Sequence, residues 1–407
     1  MCPGLLHDAV TVPASHPERL PGDHRVVTRV FALTDVGRTR EHNEDTFLVA
    51  DLEAGTPLDF THGYYEITAG PHGLLFLVAD GMGGAASGEL ASSMAGALVL
   101  EALRHTWKPA DPSPTAFAEA LRDATVLANA RIHQHARENP EHRGMGTTVT
   151  IAGLLSDHLF LVQVGDSRAY MVRDSEVQQL TKDQSLMQRL VEAGELTADE
   201  AEVSERRNII LQALGPEAHV TVDLTHQQVR RGDTLILCSD GLSGLVRAAE
   251  LARTSDEEQD VRSICTRLVD RANQLGGPDN ITVIAARFDG DALGQSSNGD
   301  AFGYTTFPLA GTMHDEARAP EPPAREARST FKSDPTPKFG TPIPSRAVLE
   351  AEIKRTRART GAAADHALLG APEPVVTERR RAVLPVFAML GMIALLAVAW
   401  FLFALFG

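Results

Sequence analysis

Four apolar stretches in this 407-residue chain meet an aspartate at one end. Leu74-Leu75-Phe76-Leu77-Val78-Ala79 runs into Asp80-Gly81-Met82-Gly83-Gly84, and Leu159-Phe160-Leu161-Val162 leads to Val164-Gly165-Asp166. Thr234-Leu235-Ile236-Leu237 leads to Cys238-Ser239-Asp240-Gly241. In reverse order, Asp279-Asn280 stands just before Ile281-Thr282-Val283-Ile284. Short apolar runs bounded by turn residues read as buried strands. The fold must therefore bring several carboxylates to strand rims, in one acidic cluster. Such a cluster repels itself and raises its own pKa values. A divalent cation is the usual remedy, and oxygen-only donors favour Mg or Mn over Zn.

Strand patterns crowd the region 25–290. They cover Val26 to Leu33, Thr46 to Ala50, Leu74 to Ala79, Thr147 to Leu154 and His158 to Val164. Ala169 to Arg173, Val177 to Leu180, Thr234 to Cys238 and Ile281 to Phe288 follow. Leu155-Ser156-Asp157 is short enough to close a hairpin. The two segments after Asp166 read as a continuing meander. Short links imply antiparallel pairing, because parallel pairs need long crossovers. Helical spacing appears at Gly88 to Arg104, Thr115 to Arg137, Ser185 to Ala193 and Asp260 to Leu275. The expected class is α+β, with antiparallel sheets covered by helices. Leu52 to Gly73, rich in Gly, Thr and Pro, reads as a long loop.

The flanks differ from this core. Residues 1–24 read as a loose extension and lack the basic start and apolar core of a secretory signal. Residues 291–381, dominated by Pro, Ala, Arg, Ser and Thr, read as a disordered linker. Within it, Ser345 to Arg359 is a candidate basic helix whose cations suit anionic lipid as well as they suit water. Ala382 to Phe406 is almost wholly apolar. As a helix those ~25 residues reach roughly 37 Å, enough for a ~30 Å hydrocarbon core. It lacks the amphipathic stripe of a buried core helix and reads as a transmembrane tail anchor. Arg379, Arg380 and Arg381 before it predict a single pass through the inner (cytoplasmic) membrane, with the folded domain in the cytoplasm. A net charge of −16 argues against nucleic acid as a partner. Three scattered cysteines (Cys2, Cys238 and Cys265) make no disulfide framework and suit a reducing compartment.

A second charged block, Gly37-Arg38-Thr39-Arg40-Glu41-His42-Asn43-Glu44-Asp45, lies between the first two strands. Arg40 offers a planar fork suited to phosphate. In order along the chain come this block, Asp80-Gly81-Met82-Gly83-Gly84, Gly146-Thr147-Thr148, and Val164 to Arg168. Thr181-Lys182-Asp183-Gln184-Ser185, Ser239 to Leu242 and Gly276 to Thr282 complete the series. Each alone is weak, since a DG pair is commonly just a turn. In this order, over roughly Arg25 to Phe288, the chain resembles the metal-dependent serine/threonine protein phosphatases of the 2C type, in their bacterial form.

The resemblance implies a sandwich of two antiparallel sheets flanked by helices, and two Mn or Mg ions with a possible third. It implies that Asp80 bridges two ions, that the Gly81 carbonyl binds one, and that Asp240 and Asp279 hold the other. Glu44 and Asp45 would complete the second site, Asp166 would serve the third ion, and Arg40 would grip the substrate phosphate. Attack would be direct, by a water bridging the ions, and no cysteine stands in a phosphate-binding loop. Gly83 and Gly84 would let the backbone approach closely. Gln188 to Gly215 matches the family's flap, a polar segment beside the site with a role in substrate selection. Asp183 would orient a neighbour, and Cys238 would pack inside its strand.

One departure stands out. Met82 occupies the position where many eukaryotic relatives carry a histidine proposed to protonate the leaving group. The proton then comes from a metal-bound water or another residue, His42 being the nearest histidine in sequence. The expected substrates are phosphoserine and phosphothreonine proteins, and the expected counterpart is a serine/threonine kinase at the membrane. The competing reading is a catalytically silent membrane-tethered phosphoprotein scaffold, and the complete acidic set argues against it.

Overall fold

In the computed structural model the described residues are 25–309, apart from 205, 298 and 299. The extension 1–24, most of the linker and the apolar segment 382–406 lie outside them. Thirteen strands and seven α-helices follow in order. The first half holds β1 (Val27–Asp35), β2 (Asp45–Asp51), β3 (Thr56–Pro57), β4 (Tyr65–Thr68), β5 (Leu74–Met82), α1 (Ala85–Thr106) and α2 (Pro114–Glu138). Next come β6 (Gly146–Thr147), β7 (Val149–Leu155), β8 (His158–Val164), β9 (Arg168–Arg173) and β10 (Glu176–Gln179). Then follow α3 (Leu186–Glu192), α4 (Ala198–Glu202), β11 (Asp223–Gln228), β12 (Thr234–Cys238), α5 (Asp240–Ser243), α6 (Ala248–Glu257), α7 (Val261–Gln274) and β13 (Ile281–Asp289).

The strands form two antiparallel sheets. One runs β10-β9-β12-β13-β1-β4, the other β11-β8-β7-β5-β2-β3, with β6 added to the end of β5. Side chains alternate across a strand. In β5, Leu74, Phe76 and Val78 face the other sheet, among Ile284, Ala286 and Phe288. Leu75, Leu77 and Ala79 face α1 and α2. Both faces are covered, which is why β5 reads as an unbroken apolar run. On the far side α6 and α7 cover the first sheet, with Ile264, Cys265 and Leu268 against Ile236, Val283 and Ala285. Helix ends are set locally. Ser113 accepts from Ala116 N–H ahead of Pro114, and Asp260 accepts from Ser263 N–H.

Three expectations change. The segment Leu52 to Gly73 is not all loop, because β4 within it pairs with β1 and forms that sheet's edge strand. β8 and β9 do not continue one meander. β8 pairs with β7 and β11, whereas β9 pairs with β10 and β12, so the chain changes sheets at Gly165–Ser167. Packed structure also continues past 290, where the linker was expected to begin. Leu293 and Leu309 are buried, and Thr306 bridges Thr225 at the free edge of β11. No helix among the described residues is long and apolar enough to cross a membrane.

Candidate metal centre

The sheet register puts two carboxylates face to face. Asp45 begins β2 and pairs directly with Asp80 near the end of β5, an arrangement that costs energy for like charges. Asp45 is buried. Ser239 Oγ donates to its Oδ2 at 2.7 Å, while its Oδ1 is buried with no hydrogen-bond partner among the described residues. Burial, added to by Asp240 and Asp279 and opposed by Ser239 and Thr282, pushes its carboxyl up to about 7. Asp80 is driven well above the usual carboxylate range, first by burial and then by Asp45, Asp240, Asp166 and Asp279. Asp240 opens α5 after β12. Burial and Asp279 raise it, and a hydrogen bond shared with Asp80 opposes that rise. Two ionised carboxylates cannot share a hydrogen bond, so these groups need a proton or a cation between them.

Asp166 sits at the sheet-changing turn. It is buried, and burial, Asp240 and Asp183 raise it well above the usual range while Arg168 pulls the other way. Asp279 anchors the rim, accepting from Arg40 Nη2 at 2.9 Å and from Asn280 N–H at 2.9 Å. Glu44 stands beside this buried set. Its Oε1 is 4.0 Å from Arg40 Nη1, and burial raises its carboxyl against the pull of Arg40. Two glycines make that position possible. A Cβ on Gly88 would lie 1.9 Å from Glu44 Oε2, and one on Gly81 would lie 2.2 Å from the Gly88 carbonyl oxygen. Gly81 N–H also donates to the Glu44 carbonyl. Gly83 and Gly84 adopt positive φ where β5 turns into α1, a conformation that favours glycine.

Supporting residues are less visible in the sequence. Asn280 accepts from Glu44 N–H and donates to the carbonyls of Val36 and His42, stapling the 36–44 loop to the start of β13. Ser239 links Asp45 to β13 by accepting from Thr282 N–H. Thr148 Oγ accepts from Asp80 N–H at 3.1 Å and meets Ser167 Oγ at 2.9 Å. Asp183 does orient a neighbour: it takes a two-pronged grip on Arg168, at 2.9 Å to Nε and 2.7 Å to Nη2. Cys238 is buried in β12 with its thiol pushed up to about 12 by burial, which fits packing and not attack. The side chain of His42 is exposed at the loop surface.

The flap carries more structure than its polar sequence suggests. Its Leu190, Leu196 and Ala201 form a small core with Leu186 and Met187 just before it. Between flap and aspartates lies a groove of about 410 Å³, lined by Arg40, Asp166, Asp240 and Asp279 on one side and by Met187 and Arg207 on the other. Among the described residues no three His, Cys, Asp or Glu side chains stand as a finished chelate. Yet the donors are all oxygen, they raise one another's pKa, and one buried oxygen lacks a partner. Such a set fits hard divalent cations.

The family model described as Protein phosphatase 2C matches residues 54–281. The chain belongs to the protein phosphatase 2C family. It is 34% identical over 258 residues to the serine/threonine phosphatase stp of Listeria monocytogenes, covering 63% of this chain and 94% of that protein. It is 38% identical over 263 residues to the serine/threonine protein phosphatase PstP of Mycobacterium tuberculosis, covering 64% of this chain and 45% of that one. The crystal structure of the PstP catalytic domain in complex with two manganese ions superposes with a TM-score of 0.52 at 33% identity, over 65% of this chain and 99% of that one.

Proposed function

We propose that this member of the 2C family hydrolyses phosphoserine and phosphothreonine in proteins, is tethered to the inner face of a cytoplasmic membrane, and opposes serine/threonine kinases there. The enzyme class, a protein-serine/threonine phosphatase, follows from the family and from its stp and PstP relatives. The observation that carries the reading is the register pairing of Asp45 with Asp80, ringed by Asp240, Asp166 and Asp279.

Asp80, Asp45, Glu44, Asp240 and Asp279, with the Gly81 carbonyl, would hold two ions, Mn or Mg. Asp166 would serve a third. When bound, the ions lower the pKa of water and stabilise negative charge on the attacking and leaving oxygens of a phosphoryl group. The chain's own residues set the geometry. Arg40 lines the groove and is steadied by Asp279; its planar fork would grip a phosphate oxygen. Arg168, fixed by Asp183, offsets part of the charge around Asp166. The flap walls the groove and narrows what can reach the carboxylates.

The tether reading is supported by the apolar run Ala382 to Phe406 behind Arg379, Arg380 and Arg381. The kinase reading is supported only by resemblance. Full-length protein should dephosphorylate a phosphothreonine peptide with Mn and lose nearly all turnover as Asp240→Asn. Retention of most turnover in that variant would refute the assignment.

A further inference from the structure

The segment by which the chain leaves the domain is not a simple exit. Beyond β13 it returns across the first sheet's flank, where the Arg173 guanidinium lies 4.9 Å from the Phe302 ring centre. It then runs along the free edge of β11. Gly303 N–H donates to Gln227 Oε1, His226 N–H donates to the Thr305 carbonyl, and Phe307 N–H donates to the Leu224 carbonyl. The Phe307 ring meets Phe160 and His226, each with centroids 5.3 Å apart, and Leu309 is buried. These contacts close an edge strand that would otherwise be open. The matched family model ends at 281, so this strap lies beyond it.

Tyr304 is the point of interest. Its hydroxyl donates to the Asp223 carboxylate, 3.0 Å from Oδ2. The face of its ring carries Lys182 Nζ at 4.4 Å from the centroid. The same ammonium pairs with Glu192 Oε1 at 3.4 Å. Glu192 ends α3, the first helix of the flap. Lys182 precedes Asp183, the partner of Arg168 beside Asp166. A continuous set of contacts thus runs from the exit strap, through one lysine, to the flap wall of the substrate groove.

We infer that residues 301–309 are a strap that sets the position of the flap, with Tyr304 and Lys182 as positioning residues. A lysine held between a ring face and a carboxylate has two anchors, one on the strap and one on α3. Loosening either frees the other. The link to turnover rests on the reading of the flap as a substrate wall, but the strap–flap coupling does not.

The test uses full-length protein carrying Tyr304→Ala, Lys182→Gln, both together, or Tyr304→Phe. Flap opening is read as the rate of limited tryptic cleavage after the exposed Arg207. Substrate selection is read as KM for a phosphothreonine peptide against kcat for an aryl phosphate. Tyr304→Ala and Lys182→Gln should each speed cleavage about three- to fivefold and raise the peptide KM by a similar factor, with aryl-phosphate kcat unchanged. The double variant should match the singles, because both break one link. Tyr304→Phe keeps the ring over Lys182 and should stay near wild type even if the alanine variant folds poorly. Wild-type cleavage in Tyr304→Ala, multiplicative effects in the double variant, or a phenylalanine variant as labile as the alanine one would overturn the inference. Faster cleavage with an unchanged peptide KM would uphold the coupling and refute the flap as a substrate wall.

Discussion

Replacing Asp45 by Asn should stabilise the metal-free protein while spoiling its response to metal. In the fold Asp45 keeps its proton to about pH 7, against 3.8 for an ordinary aspartate. Between those values the folded protein holds a proton that the unfolded chain has lost. Stability therefore falls as pH rises through that window, and the full penalty is present above it. At 1.36 kcal/mol per pH unit, the penalty at pH 8 is about 4 kcal/mol at most. In a domain of this size that corresponds to roughly 10 °C in melting temperature. Asn keeps an acceptor for the Ser239 hydroxyl and removes the charge facing Asp80, so most of the penalty should vanish. Thermal melts in excess chelator at pH 5.5 and pH 8 measure this. Wild type should melt lower at pH 8, the variant should melt about 5–10 °C above wild type there, and added Mn should reverse the order. A variant no more stable than wild type in chelator at pH 8 would refute the reasoning, because the aspartate would then carry no electrostatic strain.

Two further outcomes follow from packing. A chain ending at 290 should lose about 2–4 kcal/mol relative to one ending at 309, since Leu309 and Phe307 leave their contacts and β11 becomes an open edge; denaturant unfolding of the two chains compares them directly. Gly81→Ala should cost about 1–3 kcal/mol and most of the activity, because its Cβ meets the main-chain carbonyl of Gly88 at 2.2 Å and backbone cannot swing aside as a side chain can; melting temperature and phosphopeptide turnover report it.

The aspartates were legible because each closes or opens an apolar run, and strand ends on one rim of a sandwich converge. The long apolar run at β5 was legible for the same reason, being buried on both faces. Four features hid from sequence. β11 reads Asp-Leu-Thr-His-Gln-Gln, and its burial falls on Leu224, Thr225 and Gln227, which carry little apolar signal. The strap at 301–309 has no periodicity, and it is held by single aromatics whose partners lie far away in sequence. Ser239 and Asn280 serve the site through register with β2, β13 and the 36–44 loop, and register is a property of the assembled sheets. The sheet change at Asp166 escaped for a related reason. Local spacing shows that two strands are close in sequence, not which neighbours each will choose.

The most direct measurement is turnover of a phosphothreonine peptide by full-length protein as Mn is removed by chelator and then restored. The carboxylate cluster predicts that turnover falls to background in excess chelator and returns with Mn in wild type, and that it stays at background at every Mn concentration in Asp80→Asn. Robust turnover in excess chelator, or an Asp80→Asn variant that Mn restores, would contradict the proposed metal-dependent mechanism.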